Sequence, residues 1–79
     1  MDLKSALKID DSYSLKITAR RTKGSMGETE IFKYGVLDGK GKRIGIVIHT
    51  ERINLRTLKT SDTGIYENLN GEVLLETSW

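Results

Sequence analysis

The stretch EIFKYGVLDGKGKRIGIVIHT, residues 30–50, decides the fold. In its first part Phe32, Tyr34 and Val36 fall on one side of an extended chain, with Ile31, Lys33, Gly35 and Leu37 on the other. In its last part Ile44, Ile46 and Ile48 alternate strictly, and DGKGK between them supplies a glycine-rich loop of hairpin length. Period-two patterning on both flanks of such a loop predicts two adjacent antiparallel strands.

The same period extends outward in both directions. Residues 13–22, YSLKITARRT, place Tyr13, Leu15, Ile17 and Ala19 on one face and Ser14, Lys16, Thr18 and Arg20 on the other, which predicts a half-buried strand. In that register Lys16 and Arg20 point outward, and Arg21 emerges at the strand end on the apolar side. Residues 52–60, RINLRTLKT, alternate Ile53 and Leu55 against Asn54 and Arg56, which predicts a fourth strand with Arg52 and Arg56 on one face, followed by a turn at SDTG. In IYENLNGEVLLETSW, residues 65–79, Asn70-Gly71 is a two-residue hairpin signal because both residues tolerate positive φ. Its closing strand groups Val73, Leu75, Thr77 and Trp79. At the other terminus Leu3 and Leu7 lie four apart behind Asp2, a candidate N-cap, which suits a short helix; SALKI as an edge strand is the alternative.

The expected fold class is mainly β: a small antiparallel meander of five to six strands, forming a curled sheet or partly open barrel, with one short N-terminal helix. Glycines 35 and 45 inside predicted strands would permit sharp coiling. At 79 residues the chain is expected to form a single small β-rich domain, residues 1–79. With no cysteine and no proline it lacks two common staples of small folds, so a thin core, a partner copy or a ligand must supply stability. The sequence has no signal-peptide core and no apolar run near the roughly 20 residues of a membrane span, so the expected compartment is the cytoplasm, with no membrane partner.

Chemistry is sparse. A single histidine and no cysteine argue against a metal centre, so neither metal nor cofactor is expected. His49 with Glu51, two residues on and on the same side of a strand, is the one pairing available to acid–base or nucleophilic catalysis, and a lone histidine at a strand end is more often a surface residue. KGSMGETE matches neither a Walker loop nor a dinucleotide fingerprint. No catalytic residue is assigned, and a non-enzyme is expected.

Charge is uneven. Residues 16–59 carry eleven Lys/Arg against four acids, whereas residues 60–79 carry four acids and no Lys or Arg. Asymmetry of this kind points to an acidic partner. The candidate partner-binding residues are Arg20, Arg21, Lys23 and Met26 in the first loop, with Lys40, Lys42 and Arg43 at the hairpin tip. Arg52, Arg56 and Lys59 form a secondary basic face. Met26 joins the set because an unbranched apolar side chain in a polar loop gains most by entering a partner's crevice. The bland alternative has Glu72 and Glu76 neutralise Lys16 and Arg20 by pairing of the first and last strands in a closed sheet. Phe32 and Tyr34 read as core rather than as base-stacking aromatics.

The function expected from these features is a non-enzymatic macromolecule-binding protein that docks through basic loops onto a larger acidic protein or nucleoprotein. Small size, absent Cys and Pro and the lack of a catalytic constellation are also features of the small accessory or inhibitor proteins encoded by phages and mobile elements, an analogy of kind that no motif carries. Two alternatives stand beside it: direct low-specificity nucleic-acid binding by a small basic β-barrel, and a self-assembling structural subunit, a homo-oligomer in which Trp79 docks on a neighbour.

Overall fold

A computed structural model describes residues 3–79. A short helix, α1 (Leu3–Ala6), is followed by five strands: β1 (Ser14–Lys23), β2 (Thr29–Leu37), β3 (Arg43–Ile53), β4 (Thr60–Asn68) and β5 (Val73–Ser78). The predicted N-cap, Asp2, lies outside the described residues. The strands form one antiparallel sheet in the order β1-β2-β3-β4-β5, an open meander in which β1 and β5 are the two edges.

The fourth strand and its turn need correction. The chain expected to form a strand over residues 52–60 ends β3 at Ile53 and then turns, while SDTG lies inside β4 instead of forming a turn. Asn54 organises the reversal. Its Oδ1 accepts the N–H groups of Arg56 and Thr57, its carbonyl accepts the Leu58 N–H, and its own N–H reaches the Lys59 carbonyl. Asparagine competes for neighbouring backbone donors in this way, which ends a ladder that alternation alone would continue. The β4–β5 turn is also longer than a two-residue loop: Asn68 and Glu72 close it, through an Asn68 N–H to Glu72 carbonyl bond.

The register shifts between Ile17 and Ala19, leaving Thr18 as the extra residue of a bulge opposite Tyr34 and Lys33. One inserted residue reverses every later side chain. Arg20 therefore lies opposite Phe32 on the face that carries Leu15 and Ile17, while Arg21 and Lys23 lie opposite Ile31 and Thr29 on the face of Lys16. This overturns the shared outward face of Lys16 and Arg20 and the placing of Arg21 on the apolar side. Because β1 and β5 sit at opposite edges, Glu72 and Glu76 do not face β1; Arg20 pairs instead with Glu30, Nη2 to Oε2 at 2.9 Å.

One face of the sheet is covered. Leu7 and Ile9, just beyond α1, pack over Val36 and Val47, and these four are the buried apolar residues among those described. Leu3, Tyr13, Leu15, Tyr34, Tyr66 and Leu75 surround them. Gly64 makes room at the centre of β4: a Cβ there would meet both Leu7 and the Trp79 ring at 3.2 Å. Each of the buried side chains contributes roughly 1.5–3 kcal/mol, so four of them make a small core in which a single truncation is costly.

Candidate functional site

An antiparallel meander sends alternate turns to opposite ends. Residues 24–28 and 54–59 lie at one end, together with Trp79, while residues 38–42 and 69–72 lie at the other. Nine residues of β2 separate the first loop from the hairpin tip, about 30 Å at roughly 3.3 Å per residue. Lys23 and Met26 therefore do not share a surface with Lys40, Lys42 and Arg43.

The first loop meets the secondary basic group instead. The Ile53 N–H donates to the Glu28 carbonyl at 2.8 Å, which ties the first loop to the end of β3 where the second loop begins, and Lys23, Thr29 and Arg52 occupy one row across β1, β2 and β3. Arg56 and Lys59 belong to the adjoining turn. Arg52 and Arg56 are thus neighbours at one end of the sheet and do not share a strand face. Met26 and Leu58 are 74% and 75% exposed, and Leu55 is also exposed. Three exposed apolar side chains, an apolar knob, thus project from the two loops at the end of the sheet that also carries Lys23, Arg52, Arg56 and Lys59. Sequence reasoning missed Leu55 and Leu58 because it spent the first on a strand face and assigned the second no role.

Leu58 has a further peculiarity. Its φ is 57°, in the left-handed region, where a non-glycine side chain pays roughly 1–2 kcal/mol. Lys8 shares this conformation at φ 54°, directly after α1, where a left-handed residue ends a helix. Leu58 terminates no helix, and its side chain buries little.

At the far end, the Asp38 carboxylate accepts the N–H groups of Lys42 and Lys40, which holds its pKa below the usual carboxylate value. That tip is an exposed, self-satisfied turn. Arg43 folds back over Gly35 on the open face, beside Ala19, Lys33 and Ile46.

On the covered face, between the core and the apolar knob, lies a polar row. Arg20 sits over the Phe32 ring at 5.5 Å, Phe32 stacks on His49 with centroids 5.6 Å apart, and His49 stacks on Trp79 at 5.5 Å. Tyr34 belongs to the core as expected, but Phe32 lies beyond it, in this row. Trp79 reaches His49 by crossing Gly64 within the same chain. The next row holds three carboxylates, Glu30, Glu51 and Asp62, directly opposite one another on β2, β3 and β4. Glu30 is taken by Arg20, and Asp62 by His49 through a 2.9 Å bond between Nε2 and Oδ1. His49, Glu51 and Asp62 present donor atoms all within 4.8 Å of one another. The sequence offered His49 with Glu51; Asp62 was hidden because it comes from the strand read as a turn. No family model, curated protein or solved structure matches this chain.

Proposed function

We propose that the protein is a non-enzymatic docking module that inserts Met26, Leu55 and Leu58 into an apolar crevice of an acidic protein, with Lys23, Arg52, Arg56 and Lys59 pairing with carboxylates around it. The observation that carries this reading is Leu58: a backbone strained into the left-handed region holds an apolar side chain out in water. The turn itself needs positive φ at this position, but glycine would meet that need without strain. Keeping a leucine there whose side chain buries little is a cost commonly retained where it serves a contact. A flexible thioether beside a fixed leucine suits a shallow pocket, and cations at the rim steer an acidic partner and set its orientation.

An acidic protein fits better than nucleic acid. The two loops contain no aromatic side chain on which a base could stack. The aromatic row on the covered face is half-buried and lies against three carboxylates, which repel phosphate. Docking through the first loop retains Lys23 and Met26 from the sequence reading and replaces the Lys40–Arg43 tip with Arg52, Arg56 and Lys59.

The test uses Leu58→Gly, which relieves the strain and removes the knob. Affinity capture from the native cell, with wild type and variant as bait, is expected to lose its stoichiometric acidic protein partner in Leu58→Gly although the variant is at least as stable. A partner held equally by Leu58→Gly and by a variant with Arg52, Arg56 and Lys59 all changed to Ala overturns the reading. Retention of the wild type on a single-stranded nucleic-acid column, with an affinity falling steeply with salt, would favour the nucleic-acid alternative.

A further inference from the structure

We propose that His49, Glu51 and Asp62 form a binding site for a divalent transition-metal ion, a property independent of the docking surface. Two separate observations support it. The first is the donor set: one imidazole nitrogen and two carboxylates, half-buried, with donor atoms within 4.8 Å of one another. Ligands of one zinc-sized ion lie about 2.0–2.2 Å from it, hence at most about 4.4 Å apart. His49 Nε2 and Asp62 Oδ1, at 2.9 Å, already meet that limit. Glu51 reaches it by a small rotation of a long side chain.

The second observation is an electrostatic imbalance. Glu51 lies directly opposite Glu30 on one side and Asp62 on the other. Like charges at facing cross-strand positions are destabilising. Arg20 offsets Glu30 and His49 engages Asp62, yet the Glu51 carboxylate has no partner among the described residues. A cation between β3 and β4 would resolve this repulsion, and nothing else in the row does so.

The surroundings select the kind of ion. His49 is held in orientation by Phe32 on one side and Trp79 on the other, so its nitrogen is presented without much rotational freedom. A mixed nitrogen–oxygen set without thiolate suits Zn²⁺ or Mn²⁺, whereas Mg²⁺ prefers an all-oxygen octahedron and keeps its waters. Three protein ligands leave at least one position open.

Trp79 is the sole tryptophan and stacks on the metal-binding imidazole, which makes its fluorescence a local reporter. Titration of the full chain with Zn²⁺ is expected to show saturable one-to-one binding by calorimetry and a parallel change in Trp79 emission. Mn²⁺ should compete and Mg²⁺ should not. At a hundredfold excess over the dissociation constant the Tm should rise by roughly 10–20 °C. Glu51→Gln should weaken Zn²⁺ binding at least tenfold while leaving the metal-free protein as stable as wild type or more so, since it removes the facing like charge. His49→Gln supplies a second ligand deletion and should abolish the Tm rise. Absence of one-to-one Zn²⁺ binding, or binding that both variants keep at wild-type strength, overturns the assignment.

Discussion

The turn that joins β4 to β5 and the turn that joins β3 to β4 both start from an asparagine whose Oδ1 accepts two backbone N–H groups: those of Asn70 and Glu72 for Asn68, and those of Arg56 and Thr57 for Asn54. They differ in the residue placed where the chain must adopt positive φ. In the first it is Gly71, at φ 84°; in the second it is Leu58, at φ 57°. The β2–β3 turn follows the first pattern, with Asp38 as the acceptor and Gly41 at φ 81°. In both glycine turns the N–H of the first residue bonds the carbonyl four residues on, and the glycine N–H returns to the first carbonyl. The two far-end turns are therefore conformationally relaxed, while the β3–β4 turn at the knob end is strained and displays an apolar side chain. One end of the sheet closes on glycine turns, and the other exposes apolar side chains, one of them on a strained backbone.

The largest break in this contrast should come from Gly71→Val. A β-branched residue in the left-handed region is a genuine outlier, and the variant is expected to lose about 2 kcal/mol in a denaturant melt. The converse change, Leu58→Gly, should raise stability by about 0.5–1 kcal/mol, the relief of strain being partly offset by the extra entropy of unfolded glycine. Equal losses in both variants would mean that Leu58 packs in a way its exposure denies.

The smallest effect separates the two glycine turns, which share their bonds but differ in charge. Hydrogen bonds from Lys42 and Lys40 depress the pKa of Asp38 in the fold. A depressed carboxylate contributes stability that is present above its unfolded value, about 3.9, and is lost as pH falls through the lower folded value. Asp38→Asn should build the neutral turn seen at Asn68. The stability difference between wild type and variant should therefore shift in favour of the variant below about pH 4, and parallel pH profiles would contradict the role given to the carboxylate. Asp10, whose pKa is lowered by the Ser12 hydroxyl and N–H, remains in both proteins and sets a common background.

The legibility of each segment follows from these local differences. Strands β1, β2, β3 and β5 could be read from period two, and DGKGK and Asn70-Gly71 marked their turns through glycine. The β3–β4 turn could not be read that way, since its left-handed position holds leucine and its flanks keep alternating. The same misreading hid Asp62, and with it the cluster around His49. The bulge at Thr18 left no compositional trace, yet it moved Arg20 onto the aromatic row and Arg21 onto the open face.

By itself, the sequence determined that these residues form an antiparallel meander with a thin core, because alternation and glycine placement act between near neighbours and need no global information. Tertiary structure decided that the sheet stays open, that Lys23 and Met26 lie at the same end as Arg52 and Lys59 and away from Lys40, and that His49, Glu51 and Asp62 converge. Those outcomes depend on register and on which ends of which strands meet. A single inserted residue or one asparagine-held turn changes them, and composition does not record it.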